Sequence, residues 1–195
     1  MPAPSGPGDP FDLAEAADRD AVERVLDGDA EAFAGVVRRH GARLVGLCAR
    51  VVGSRDLGEE LAQEALARAY GSLGAFRGDC RFRHWLMRIA LNGCRDWLKA
   101  GARAESPTAL SGEEVATWRH PEREASARQL GVALAEALQR LPPKYREAFT
   151  LFHVENLGYE EMRAITGVSV NALKVRVHRA RQMLMRRLGP LLEEE

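Results

Sequence analysis

Three cysteines in 195 residues, Cys48, Cys80 and Cys94, are too few and too irregularly spaced for a disulfide framework, and no CxxC pair offers a zinc site. They read as buried or bystander thiols of a reducing compartment. Aromatic residues are scarce at 6%. No stretch alternates convincingly between apolar and polar residues, which disfavours a β-sandwich. No apolar run nears the roughly 18 residues of a membrane span. The first twenty residues, Pro/Gly-rich and then acidic, lack the form of a signal peptide. A soluble, cytoplasmic protein without membrane insertion is expected. There is no phosphate-cradling glycine loop, no GxGxxG and no Ser–His or Cys–His constellation. His40, His84 and His153 stand without a carboxylate or thiol at ligand spacing. Catalysis, a metal and a cofactor are therefore all not expected.

Net charge is lacking too, with 28 basic against 28 acidic side chains. That balance is unusual for a chain that binds DNA unaided, because phosphate contacts supply most non-specific affinity. The zero hides a segregation. Residues 168–187 carry six basic side chains and no acidic one, and residues 77–103 carry seven basic and two acidic. Acid gathers in the N-terminal tail, around 56–64, in 105–124 and in 193–195. Two basic faces on a chain otherwise not attracted to DNA imply two nucleic-acid surfaces.

The remaining pattern is helical. Phe33, Val36, Val37, Leu44, Leu47 and Val51 recur at three- and four-residue steps and predict a helix over 29–52. Ser54 or Asp56 can cap the next, over 57–73. A glycine-bracketed loop carrying Phe76, Arg77 and Asp79 leads to a helix over 82–99. Residues 124–141 and 144–155 predict two more, separated by Pro142 and Pro143. A short helix over 159–165, a turn at 166–169 around Gly167 and a long basic helix over 170–188 have helix-turn-helix spacing, the unit that sets its second helix in the DNA major groove. The fold class is all-α. Residues 1–11 read as a disordered tail, 12–101 as one helical domain, 102–123 as a flexible linker, 124–190 as a second domain and 191–195 as an acidic tail.

On the last helix Leu173, Val177, Ala180, Leu184 and Leu188 form one apolar stripe. At about 100° per residue the opposite side collects Asn171, Val175, His178, Arg179 and Gln182, with Lys174 on its flank. Arg and Lys suit guanine edges or phosphates, Asn and Gln suit adenine, and Val can touch a thymine methyl. Upstream, Phe76, Phe82, Trp85 and Trp97 interleave with Arg77, Arg81, Arg83, Arg88, Arg95 and Lys99. That mixture suits single-stranded DNA, whose bases stack on aromatic rings while its phosphates meet cations.

In this order the segments DGDAEAFAGVVRRHG, EELAQEALARAYGSLGAF, RGDCRFRHWLMRIALNGCRDWLK and LPPKYREAFTLFHVENLGYEEM, with the last helix, resemble the sigma-70 family of bacterial RNA polymerase sigma factors, in its extracytoplasmic-function (ECF) group. The resemblance spans residues 27–188 and both domains of the family. It implies a protein that binds core RNA polymerase, reads the −10 and −35 promoter elements and promotes melting, in stress-type transcription control, with no enzymatic activity of its own. It implies that Glu60, Gln63 and Glu64, with Leu61 and Tyr70, meet the clamp helices of the largest polymerase subunit, and that the second domain meets the flap. Phe76, Arg77, Arg88 and Asn92, with Arg95 on the same helix, fall where the family captures a flipped −10 base. Lys174, Val175, His178 and Arg179, with Asn171, fall on the −35 groove face. The acidic linker resembles the segment threaded into the polymerase cleft. A monomer when free and an anti-sigma factor as regulator are also implied. Leu57, Arg163, Thr166 and Val175 depart from residues usual in the family.

Overall fold

The computed structural model describes residues 10–103 and 124–192. Of the expected linker and tails, residues 104–123, 1–9 and 193–195 lie outside the described residues, whereas 10–11, 102–103 and 191–192 are helical. Every regular element described is helical. The helices are α1 (Pro10–Leu26), α2 (Phe33–Val52), α3 (Arg55–Gly71), α4 (Phe82–Arg103), α5 (Glu124–Gln139), α6 (Pro143–Phe149), α7 (Tyr159–Thr166) and α8 (Val170–Leu192).

In the first half, α2 and α3 lie in close contact because Gly58 is buried on α3. A Cβ at that position would fall 2.6 Å from the Cα of Ala49. Of the two caps expected for α3, Ser54 does the work: in extended conformation, its Oγ accepts the Leu57 N–H at 3.3 Å. α4 packs onto the pair with Leu86, Met87, Ala90, Leu91 and Cys94. The Cys48 and Cys94 thiols are both fully buried and hydrogen-bonded to one another. That bond and the burial hold Cys48 far above the ordinary thiol range. α1 contributes Asp18, almost wholly buried, which accepts from Arg39 Nε at 2.9 Å and meets His40 Nε2 at 2.8 Å. A carboxylate at that depth requires such partners. Sequence spacing offers His40 no such carboxylate; the fold supplies it from α1.

In the second half, Pro143 opens α6 in its first turn. The single helix expected over 144–155 is divided. After Phe149 the chain makes a π-helical turn, Thr150–Val154, in which Glu155 N–H donates to Thr150 O at 2.9 Å. Asn156 then adopts φ 53° and ends the run. Leu138, Leu141, Tyr145, Ala180 and Leu184 form a cluster of their own between α5, α6 and α8.

The halves are packed together. Leu151, Leu157, Met162, Ile165, Leu173 and Val177 of the second belong to the same apolar cluster as Val36, Leu44, Leu47 and Leu91 of the first. Polar contacts, two of them ion pairs, rim this joint. Arg43 Nε reaches Glu155 Oε2 at 2.5 Å, Arg95 donates to both carboxylate oxygens of Glu147, and His84 lies 3.6 Å from Glu161. Each cation or imidazole comes from the first half and each carboxylate from the second. The sequence leads one to expect two helical domains, but not a core shared between them.

Candidate nucleic-acid interface

The outer face of α3 presents Glu60, Gln63 and Glu64 to solvent, while Ala62, Ala65, Leu66 and Ala69 are buried behind it. Leu61 does not share that face. It is 7% exposed and belongs to the core, because it falls on the inward stripe of the helix. Tyr70 is half-exposed at the far end, its ring edge-on to Phe33 at 5.2 Å. Glu64 is paired along the helix with Arg68.

The next surface is built on α4 and the loop before it. Phe76 is half-buried in an aromatic trio, with ring centroids 5.1 Å from Phe82 and 5.4 Å from Trp85. Arg77 is exposed beside it. Arg88 is exposed and donates to Cys80 Sγ at 3.5 Å. Asn92 is exposed one turn further on, and its Oδ1 accepts from Arg95 Nη1 at 3.3 Å. Arg88 and Arg95, seven residues apart, share a helix face. Arg95 is otherwise engaged: its Nε and Nη2 donate to Glu147 at 2.8 and 2.7 Å. The contact with Glu147 raises the guanidinium pKa further. The structure thus brings the expected residues together, but ties one of them to the second half of the chain.

The third surface is the α7–turn–α8 unit. Gly167 adopts φ 71°, and its N–H donates to Arg163 O at 2.8 Å, closing α7 with a left-handed residue. Thr166, one of the departures from the family pattern, has a local task. Its Oγ1 donates to Met162 O at 2.7 Å and accepts from Val168 N–H at 3.2 Å, stitching the turn. Arg163, another departure, pairs with Glu160 on the surface. On α8 the expected stripe is buried at Leu173, Val177, Ala180 and Leu184, and Leu188 is half-buried. Asn171, Lys174, Val175, His178 and Arg179 are all exposed on the opposite side, Val175 at 49%. Lys174 Nζ lies 5.9 Å over the Tyr159 ring, which stacks on Phe152 at 4.8 Å. Arg179 Nη1 donates to the Tyr145 hydroxyl at 3.1 Å.

Reading the sequence missed Tyr145, Glu147, Glu155 and Glu161. Their partners lie from 34 to 112 residues away, and no local periodicity marks such pairs. Among the described residues no group of three or more His, Cys, Asp or Glu side chains is placed to hold a metal. No described helix is long and apolar enough to cross a membrane.

Residues 36–104 match the family description "Sigma-70 region 2", and residues 131–184 match "Sigma-70, region 4". The chain is 32% identical over 191 residues to the RNA polymerase sigma-H factor of Pseudomonas aeruginosa, spanning 93% of this chain and 99% of that one. It is 33% identical over 184 residues to the ECF RNA polymerase sigma-E factor of Haemophilus influenzae, spanning 90% and 97%. Among solved structures, CnrH in complex with the cytosolic domain of CnrY is similar with a TM-score of 0.64 and 27% identity, over 92% of this chain and 99% of that one.

Proposed function

The chain belongs to the ECF group of sigma-70 family RNA polymerase sigma factors, with region 2 ahead of region 4, and from that premise we propose how its surfaces divide the work of initiation. A protein of this family is a transcription initiation factor that brings RNA polymerase to promoter DNA. Here the acidic outer face of α3, with Glu60, Gln63, Glu64 and Tyr70, takes the clamp helices of the largest subunit, and its charge suits a basic partner. Region 4 takes the flap as well as DNA. Phe76, Arg77, Arg88 and Asn92 hold the non-template −10 strand. Flipping a base costs a few kcal/mol, which stacking at an aromatic-lined pocket offsets. Asn171, Lys174, Val175, His178 and Arg179 enter the −35 major groove. Arg95 joins the −10 surface only when Glu147 releases it, so DNA reading is coupled to separation of the two halves.

The observation that carries this reading is the sidedness of α8 within a chain that also holds the α4 surface. Every proposed groove residue is exposed while the opposite stripe is buried. The likeness to CnrH, solved in complex with the cytosolic domain of CnrY, supports a protein partner for this chain, and the partner we propose is an anti-sigma factor. The deciding experiment is co-migration of the purified chain with core RNA polymerase on a sizing column, wild type against a Glu60→Ala/Gln63→Ala variant. Co-migration of the wild type, weakened in the variant, is expected. A folded wild type that fails to bind core overturns the reading.

A further inference from the structure

Arg179 stands at the edge of the proposed −35 face, on the long, freely rotating side chain that arginine always has. Such a side chain loses rotamer freedom when it docks on a base edge, and that loss weakens binding unless something has fixed it beforehand. Here something has. Arg179 Nη1 donates to the Tyr145 hydroxyl at 3.1 Å. Tyr145 is itself held. It is 7% exposed, it sits in the first turn of α6 behind the rigid Pro142–Pro143 pair, and its N–H donates to Pro142 O at 2.9 Å. Its ring packs in the cluster with Leu141, Ala180 and Leu184. The ammonium of Lys144 lies 5.0 Å from the centre of that ring. The hydrogen bond from Arg179 is also the main reason the phenol pKa lies below its ordinary value.

We propose that Tyr145 is a positioning residue for −35 recognition, its hydroxyl fixing the Arg179 guanidinium against α8 before DNA arrives. The proposal rests on the reading of α8 as the −35 reader. A guanidinium has five donors, and the hydroxyl takes one of them, on Nη1. Among the described residues the Arg179 Nε–Nη2 edge has no other partner, which suits a bidentate contact with O6 and N7 of a guanine. Tyr145 does not reach a base itself, because its ring is buried; it sets the angle at which Arg179 does. Arginine needs this help more than its neighbours on the face, because its discrimination depends on the orientation of a planar fork rather than on a point charge.

The test uses holoenzyme assembled from core polymerase and the full chain, on promoters substituted one base at a time through the −35 element. Arg179→Ala is expected to relax preference at one position. Tyr145→Phe keeps the ring and removes only the hydroxyl. It is expected to relax preference at that same position by about three- to tenfold, the cost of immobilising one rotamer-rich side chain that the hydroxyl no longer holds. Its core affinity and the salt slope of DNA binding should stay unchanged, whereas a purely structural role would move them together with base preference. In the double variant the Tyr145→Phe effect should vanish, because its only route is through Arg179. If Arg179→Ala relaxes the preference and Tyr145→Phe does not, the positioning role is refuted while the −35 reading stands. If Arg179→Ala changes no base preference, the assignment of Arg179 to the groove fails, and the role of Tyr145 falls with it.

Discussion

Arg95 of α4 and Glu147 of α6 meet through two parallel hydrogen bonds, Nε to Oε2 at 2.8 Å and Nη2 to Oε1 at 2.7 Å, although 52 residues separate them in sequence. The fork-on-fork geometry is the strongest form an ion pair takes. On the proposed reading of α4, it places a carboxylate of region 4 where a phosphate of the −10 strand would otherwise be the partner of Arg95. Replacing Glu147 by Gln should therefore do two opposite things. It should destabilise the joint between the halves by about 1–3 kcal/mol, the worth of a charged hydrogen bond left incomplete. It should also strengthen binding of the free chain to a single-stranded −10 oligonucleotide. The salt dependence should steepen by about 0.7 in log–log slope, the share of the one phosphate that a released Arg95 neutralises. Anisotropy titrations at several salt concentrations measure this directly, and an unchanged slope would mean that Arg95 does not meet the strand.

His84 gives the joint a pH dependence of known sign. Burial, and then the neighbouring Arg83 with smaller contributions from Arg81 and Arg43, pushes the imidazole from 6.5 down to about 4, against the opposing pull of Glu161. Arg83 Nε donates to His84 Nε2 at 3.1 Å, which fits a neutral ring accepting at that nitrogen. The folded state thus binds the proton less well than the unfolded chain. Its stabilisation is complete above about pH 6.5 and is lost as pH falls from there toward 4. At about 1.4 kcal/mol per unit the loss is on the order of 3 kcal/mol. Thermal unfolding from pH 7.5 to 4.5 should show the decline, and His84→Gln should flatten it.

The proposed −35 face makes separable predictions for its charged and apolar members. Lys174→Ala should weaken duplex binding by the holoenzyme about equally on all −35 sequences and reduce the salt slope by about 1. Val175→Ala should leave the salt slope alone and relax preference at a single thymine, because a methyl–methyl contact carries no charge. A sequence-dependent effect of Lys174→Ala would place it on a base edge instead.

Gly58 is a close-approach glycine rather than a turn glycine. Gly58→Ala would bring a Cβ to 2.6 Å from Ala49 Cα, a backbone atom that cannot swing aside. The helices must move apart. The expected cost is about 1–3 kcal/mol, or roughly 2–4 °C in thermal midpoint per kcal/mol for a chain of this size. Gly71→Ala, at the open end of the same helix with nothing within 4 Å, is the control and should be neutral. Equal effects of the two would refute the close-packing account.

What the sequence made legible follows from range. The stripe Leu173–Val177–Ala180–Leu184 and the exposed face opposite it repeat within a few residues, so the helical period revealed both. Ser54 and Gly167 announced themselves through chemistry that acts over one turn. The joint between the halves was illegible because its partners have no such locality. Arg43 and Glu155 are 112 residues apart, and each looks like an ordinary surface charge among 28 of its kind. Leu61 is a different case. Its spacing with Leu57, Ala65, Ala69 and Leu73 marks it as inward, and only the family resemblance placed it among the polymerase contacts. Tyr145 escaped notice because a tyrosine two positions after a proline pair reads as ordinary core.

The π turn at Thr150–Val154 has a consequence that can be counted. Glu147 and Glu155 are eight residues apart. In uninterrupted α-helix eight steps of about 100° would leave their side chains about 80° out of phase. The π turn takes up one residue without advancing the helix by the usual angle, so the two carboxylates stand effectively seven steps apart. Seven steps miss two full turns by only about 20°. That phase is what lets Glu147 and Glu155 face Arg95 and Arg43 at once. The segment is therefore asymmetric toward changes of length. Removing one residue from it would leave ordinary α-helix with the two acids still seven steps apart and on the same side. Adding one would turn Glu155 and everything downstream by about 100° unless a second wide turn absorbed it.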